Sequence, residues 1–365
     1  MAADNALVLM TAGGTGGHVY PALAVAQELI ERGYNVEWVG TKAGLEHRVV
    51  PAAGITLHCL PVVGMRGKSA LHKLRGVLVL MIAQLRATWL VFRLRPGCVV
   101  GMGGYVAGPA GMAAWLLRKP LLIHEQNAVA GTTNRMLSRF AKRILAGFPG
   151  AFDRHLEVSV IGNPLRNELL QAGAAATYDY DGRRPLQLLV LGGSLGAAPL
   201  NEVMPGMVRR LARDGDNLLQ IWHQAGEAHC EGLQQRYGVL LGENVRVSAF
   251  IEDMAAAYQW ADLVLCRAGA LTVSELAVMG RPAILVPLPQ AIDDHQTLNA
   301  RTLVARGAAV SLLQGQLDAY MLGNLLRDFI AQPQRLASMA AAAAGAATPD
   351  AARRAADCCE ELMHA

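Results

Sequence analysis

The sequence predicts an α/β protein built from two doubly wound, Rossmann-like domains with parallel sheets. Three observations carry this. Apolar strand-like runs alternate with helix-like runs throughout the chain, the pattern of βαβ units. A strand–glycine-loop–helix unit occurs twice, as LVLMTAGGTGGHVYPALAV from Leu7 and LQLLVLGGSLGAAPLNEV from Leu186. The length of 365 residues suits two domains of ordinary size.

In order, the expected strands are Ala6–Thr11, Asn35–Gly40, Leu57–Pro61, Cys98–Gly101, Pro120–His124, Arg143–Ala146 and Glu157–Ile161, then Leu186–Leu191, Leu218–Gln224, Val245–Ala249, Leu263–Cys266, Ala283–Val286 and Ala308–Leu312. They are continuous apolar runs, as strands covered on both faces should be. Helical patterns fall between them at Pro21–Arg32, Ser69–Arg93, Gly108–Leu117, Ala198–Arg213, Met254–Trp260, Val273–Met279, His295–Arg306 and Leu317–Ala331. The boundary is expected at Gly162-Asn163-Pro164, giving domains 1–163 and 164–340 with a helical tail over 341–365.

Composition narrows the class. Hydrophobic residues make up 53% of the chain and mean hydropathy is +0.26, yet no apolar run is long enough to span a bilayer. No signal peptide opens the chain, so a cytoplasmic location is expected. Six cysteines without framework or metal spacing read as reduced thiols. Residues 1–163 carry 17 Lys/Arg against 8 Asp/Glu, and the remainder 16 against 21. No acidic residue lies between Glu46 and Glu125, where ten basic residues do. Such a surface attracts an anionic partner.

Each glycine loop is a candidate phosphate site. Glycine allows close backbone approach, and the following helix start carries partial positive charge. A tight strand-to-helix turn is the competing reading. His18 and Ala197 stand where a P-loop needs lysine, and Val19 breaks a dinucleotide fingerprint. A third loop, Gly101–Tyr105, and the segment His124-Glu125-Gln126-Asn127 follow strands of the first domain and should line the same rim. In the second domain, Thr272-Val273-Ser274-Glu275 has capping-box spacing. Either Glu275 caps the helix, or it reaches outward to a ribose while the helix start faces a diphosphate. Two Asp-x-Asp triplets, Asp179–Asp181 and Asp214–Asp216, lie in polar turns rather than at strand ends, and Asp293-Asp294-His295 lacks further ligands nearby. Neither metal nor cofactor is required.

The motifs GGTGGHVYPALAVA, GMGGYVAGP, HEQNAVAGTTN, GNPLR, GGSLGA, FIEDMAAAYQWADLVLCRAGALTVSELA and DDHQTLNA follow one another from about residue 7 to 310. In this order they resemble the MurG family, the N-acetylglucosaminyltransferases of peptidoglycan synthesis. The resemblance implies a GT-B architecture, with the two sheets facing across a cleft. It implies inverting transfer of GlcNAc from UDP-GlcNAc to the C4 hydroxyl of undecaprenyl-diphosphate-linked muramoyl-pentapeptide. It puts Thr15, Gly16 and Gly17 near the donor, with His18 as general base and Glu125 as a second titratable group ranked below it. Asn127 and Gln296 would meet GlcNAc, and Arg166 the nucleoside. Ser194 would bond the diphosphate and Ile251 would meet uracil. Ala270, Leu271 and Thr272 would face the phosphates, with Val273 and Ser274 in the same binding segment, and Glu275 would take the ribose. Gly103, Gly104 and Tyr105 would bind the acceptor.

The seven basic residues from Arg66 to Arg95 and the stripe Leu74, Val77, Leu78, Met81, Leu85 and Trp89 lead to an expectation of peripheral attachment to an anionic phospholipid surface, on the cytoplasmic side of the inner membrane. The stripe could equally face the core. No nucleic-acid partner is expected; other cell-wall enzymes are. A different nucleotide-sugar transferase and an epimerase-like protein of the same fold remain as alternatives.

Overall fold

The computed structural model describes residues 6–62, 70–193, 195–213, 218–242, 244–289 and 291–364, without the side chains of 70–75, 77 and 292. Backbone contacts divide the chain into two units, Met1–Arg166 with Pro349–Ala365, and Asn167–Thr348.

The first unit holds β1 (Leu7–Thr11), β2 (Asn35–Gly40), β3 (Thr56–Cys59), β4 (Cys98–Gly101), β5 (Leu121–Glu125), β6 (Arg143–Ala146) and β7 (Ser159–Val160). They form one sheet in the order β3-β2-β1-β4-β5-β6-β7, and the paired strands run parallel. Alternate side chains serve opposite faces. Val8 and Met10 pack with Val25, Leu29 and Trp38. Leu9 packs with Val91, Ala110 and Ile123. The strand order reverses between β1 and β4, so the loops following these two strands are neighbours.

The second unit holds β8 (Leu186–Leu191), β9 (Leu219–Gln224), β10 (Val245–Ser248), β11 (Leu263–Cys266), β12 (Ala283–Leu285) and β13 (Ala309–Ser311). Their order is β10-β9-β8-β11-β12-β13, again with parallel pairs. The reversal falls between β8 and β11. Leu188, Val190, Met204, Met207, Leu265, Leu326 and Phe329 belong to its core.

The C-terminal segment departs from the expected tail. It forms two helices, Pro333–Ala344 and Ala351–His364, interrupted by Gly345 and Pro349. The second of these packs on the first unit, where Ala355, Ala356 and Cys359 join Val8 and Met10. Arg32, which ends the helix Gly16–Glu31, holds it there. Its guanidinium donates to Glu28 at 2.9 Å, Asp357 at 2.8 Å, Glu360 at 3.0 Å and the Arg353 carbonyl at 3.2 Å. The contact division after Arg166 lies just beyond the expected break at Gly162–Pro164.

Two buried histidines mark the cores beneath the strand ends. His124 bonds the Gly162 carbonyl at 2.9 Å. His223 lies between Tyr237 Oη at 2.9 Å and Asn201 Oδ1 at 3.0 Å. Burial lowers His124 to about 4 and His223 to about 3.

Replacing Arg32 by Met keeps the apolar stem and removes the carboxylate contacts. Such a partly exposed network stabilises by about 1–2 kcal/mol after solvent screening. Amide exchange across 351–364 should accelerate about tenfold, with the helix Ala198–Arg213 unchanged; unaltered exchange in 351–364 contradicts the clamp. Both histidines fold neutral, with folded pKa values below the unfolded value of about 6.5. Their contribution is complete above that pH and is lost as pH falls towards 4, by up to about 1.4 kcal/mol per pH unit per site. Urea unfolding at pH 7 and pH 5 should show this drop, and His124→Gln with His223→Gln should flatten it. Equal wild-type stability at the two pH values contradicts it.

Candidate active site

The first rim is built at the β1/β4 reversal. After Thr11 the chain turns through Gly13 and Gly14 and enters the helix Gly16–Glu31 at the N-cap Thr15. The helix therefore starts earlier than the expected Pro21, with Gly16 and Gly17 as its first residues. His18 and Val19 both donate their amides to the Thr15 carbonyl, at 3.1 and 3.2 Å. The Gly14 amide is also taken. It donates to Glu46 Oε2 at 3.0 Å, while Glu46 Oε1 accepts from the Thr41 amide at 2.8 Å and the Thr41 hydroxyl at 2.6 Å. Glu46 is fully buried. A carboxylate of the protein itself thus fills the turn at Gly13–Gly14, which is no open phosphate cradle.

The loop after β4 closes against this turn. A Cβ on Gly104 would lie 2.5 Å from the Gly13 carbonyl oxygen, and one on Gly103 would lie 2.9 Å from His18 Nδ1. Both glycines have positive φ, 92° and 81° for Gly103 and Gly104, so side chains there are excluded twice. Tyr105 is exposed. Arg166 lies with its guanidinium 5.1 Å over the Tyr20 ring, and Tyr20 packs against Gly16. Thr15, Gly16, Gly17, His18, Gly103, Gly104 and Arg166 therefore gather on one rim of the first unit.

The second candidate acid, Glu125, ends β5. Glu125 accepts four hydrogen bonds: from the Asn127 amide and Asn127 Nδ2, both at 3.0 Å, from the Gly131 amide at 3.0 Å, and from Asn134 Nδ2 at 2.9 Å. It is 1% exposed. With its oxygens engaged, Glu125 holds the loop 126–134. Asn127 is half-buried and pinned by it. His18 is half-buried, with Nδ1 3.1 Å from Gln126 Oε1.

In the second unit the helix after β11 runs Ala270–Val278 with Gly269 as N-cap, and no side chain caps it. It begins before the expected Val273, which settles the capping question. Thr272 lies inside the first turn and Glu275 one turn further. Glu275 Oε2 accepts from Tyr258 Oη at 2.9 Å and does not cap the helix start. The first three helical amides belong to Ala270, Leu271 and Thr272, the ones a helix cannot use internally. Val273 donates its amide to the Gly269 carbonyl at 3.0 Å, and Ser274 Oγ donates to the Ala270 carbonyl at 3.1 Å. Both residues are buried within the first two turns of this helix.

The loop after β8 neighbours this helix start through the pairing of Leu191 with Cys266. Ser194 lies outside the described residues, as do Asp214 and Asp216. Ile251 is buried beyond β10. Gln296 accepts from the Leu288 amide at 3.0 Å. It follows two left-handed residues, Asp293 and Asp294, with φ of 53° and 51°. Such backbone strain is common at ligand-binding loops. The triplet at Asp179–Asp181 is a turn, with Asp179 bonded to Arg184 at 3.2 Å and Asp181 accepting from the Arg183 amide at 2.9 Å. Among the described residues no group of three or more His, Cys, Asp or Glu is placed to hold a metal ion.

Sequence reading missed two residues here. Glu46 lies 32 positions from its partner Gly14, and Gln126 lies 108 positions from His18. Gln126 was within a recognised motif, but only strand order brings it to the histidine.

Comparison with known proteins agrees with this architecture. Residues 8–146 match the glycosyltransferase family 28 N-terminal domain and residues 187–355 its C-terminal domain. A protein of Stutzerimonas stutzeri is 49% identical over 98% of this chain and 99% of its own length. One of Alkalilimnicola ehrlichii is 51% identical over 97% and 98%. Both are named UDP-N-acetylglucosamine–N-acetylmuramyl-(pentapeptide) pyrophosphoryl-undecaprenol N-acetylglucosamine transferase. The crystal structure of Acinetobacter baumannii MurG superposes with a TM-score of 0.82 at 40% identity, covering 98% of this chain and 99% of that one. A UDP-GlcNAc 2-epimerase from Neisseria meningitidis, at 13% identity and a TM-score of 0.62, shares the fold. The chain, a GT-B-like pair of parallel-sheet units, belongs to glycosyltransferase family 28.

Proposed function

We propose that the protein transfers GlcNAc from UDP-GlcNAc to the C4 hydroxyl of the muramoyl sugar of undecaprenyl-diphospho-muramoyl-pentapeptide, inverting the anomeric centre. The observation that carries this is the end-to-end likeness to transferases named for that reaction.

The chemistry needs a base for the hydroxyl and stabilisation of the leaving diphosphate. His18 is the base. It is half-buried at the start of its helix, beside the glycines after β4, and the other candidate, Glu125, is engaged by four donors. As the acceptor oxygen attacks C1, the hydroxyl proton passes to His18. The bond from C1 to the phosphate oxygen breaks, and its electron pair leaves with UDP. The amides of Ala270, Leu271 and Thr272 receive the growing negative charge, aided by the partial positive charge of their helix. Glu275, bonded by the Tyr258 hydroxyl, takes the ribose diol, and no divalent cation is needed. Asn127, in the loop after β5, and Gln296, at the start of the helix His295–Val304, take the GlcNAc hydroxyls.

The second part of the proposal is attachment to an anionic membrane surface. No helix among the described residues is long and apolar enough to cross a membrane. The helix Ala70–Leu94 buries small and aliphatic residues, among them Ala83, Ala87, Leu90 and Val91. Leu78, Met81, Leu85, Trp89 and Phe92 are exposed on it, at the spacing of one helical face. Arg93 lies 5.2 Å over the Trp89 ring, and Arg86 and Arg95 are exposed. Of the stripe expected from the sequence, the described part therefore faces solvent. Arg66 and Lys68 lie outside the described residues, as do the side chains of Lys73, Leu74, Arg75 and Val77.

With UDP-GlcNAc and a short-chain prenyl-diphosphate acceptor, His18→Gln should lower kcat by about 10²–10⁴-fold, read as UDP release. Glu275→Ala should raise KM for the donor about tenfold with a smaller effect on kcat. A His18→Gln enzyme within a fewfold of wild type contradicts the base assignment. The double variant Leu85→Glu, Trp89→Glu should lose at least about tenfold in binding to phosphatidylglycerol vesicles, because each buried apolar side chain contributes about 1.5–3 kcal/mol. Raised salt should weaken wild-type binding. Vesicle binding indifferent to both contradicts attachment through this face.

A further inference from the structure

We propose that Gln126 is a positioning residue that fixes the tautomer of His18 and thereby selects Nε2 as the proton acceptor. The inference rests on His18 as the base and adds which atom acts and what chooses it.

Gln126 follows β5 and is 1% exposed. Its side-chain amide lies between two groups. Nε2 donates to the Met102 carbonyl at 3.0 Å, and Oε1 lies 3.1 Å from His18 Nδ1. A carbonyl can only accept. Turning the amide over would set Oε1 against the Met102 oxygen in a buried place, two acceptors face to face. The backbone thus decides which end of the amide meets the histidine. That backbone is itself held: the Met102 amide donates to the Thr11 carbonyl at 2.9 Å, and the Gln126 carbonyl accepts from Asn163 Nδ2 at 3.1 Å.

The consequence for the imidazole is fixed by valence. Gln126 Oε1 only accepts, so Nδ1 carries the proton and Nε2 of the neutral ring keeps its lone pair. Gly103 makes the seat, since a Cβ there would lie 2.9 Å from Nδ1 and 3.0 Å from Cε1. The Nδ1–Cε1 edge is packed against the protein. Among the described residues no protein group takes Nε2. During transfer the acceptor O–H bond breaks and an Nε2–H bond forms. The imidazolium then carries protons on both nitrogens, and Gln126 accepts from Nδ1 throughout, more strongly once the ring is charged. The proton afterwards leaves Nε2 for solvent.

The test uses full-length protein labelled with ¹⁵N-histidine, observed at a pH where the ring is neutral. The His18 signals are those absent from His18→Gln. Wild type should show a protonated Nδ1 and an unprotonated Nε2. Gln126→Leu should release the ring to a mixture of tautomers and lower kcat about tenfold, with little change in KM. Gln126→Glu keeps an acceptor at Nδ1 and, with its carboxyl protonated, a donor to the Met102 carbonyl. It should retain the wild-type tautomer and most of the kcat that Gln126→Leu loses. A wild-type ring protonated on Nε2, a Gln126→Leu ring with the wild-type tautomer, or a Gln126→Glu ring without it overturns the proposal. The two readings separate: an active His18→Gln enzyme removes the base while leaving the tautomer measurement intact, and a wrong tautomer removes Gln126 while leaving the base.

Discussion

The buried carboxylate of Glu46, bonded to the Gly14 amide at 3.0 Å, sets the two halves of this protein apart. Both units place a glycine-containing strand-to-helix corner at the point where strand order reverses. Every backbone amide at such a corner must find an acceptor. In the first unit the chain supplies one: Glu46 reaches back from the corner after β2 to bind both Gly14 and Thr41. In the second unit the helix after β11 starts at Ala270 without a side-chain cap. Its anionic side chain, Glu275, is bonded sideways to Tyr258. The Gly14 amide is thus met from within, while the helix starts at Gly16 and at Ala270 both lack a side-chain cap.

Much of the fold was legible in the sequence because its signals are local. The strands Asn35–Gly40, Cys98–Gly101, Arg143–Ala146, Leu186–Leu191 and Leu263–Cys266 have the bounds that their apolar runs indicate. Helix starts were less legible. Gly16 and Gly17 look like loop, yet they open the helix, whose first turn closes on the Thr15 carbonyl through the His18 and Val19 amides. Ala270 and Leu271 were likewise outside the expected helix, because the Thr272–Glu275 pattern imitates a capping box. The last helix, Ala351–His364, carries no local sign that it packs on the first unit. Its partner Arg32 is more than 300 positions away.

The candidate site divides in the same way. Residues in long motifs were found, but their roles depend on contacts between distant segments. Glu125 looks like a free acid in sequence and is bound by four donors in the structure. Gln126 looks like a neighbour of the interesting residues and is the one that touches His18. The helix Ala70–Leu94 shows a related ambiguity. A stripe with helical spacing is the same in sequence whether it faces the core or the outside. Ala83 and Ala87 decide it, because small residues let the opposite face pack closely and leave Leu85 and Trp89 outside.

The most direct test is a crystal structure of the protein with UDP-GlcNAc, grown in the presence of a chelator. The account predicts diphosphate oxygens at hydrogen-bond distance from the amides of Ala270, Leu271 and Thr272, the ribose diol on Glu275, and no phosphate at the Gly14 amide. A nucleotide bound exclusively against the first unit, or one that binds only when magnesium or manganese is restored, would contradict it.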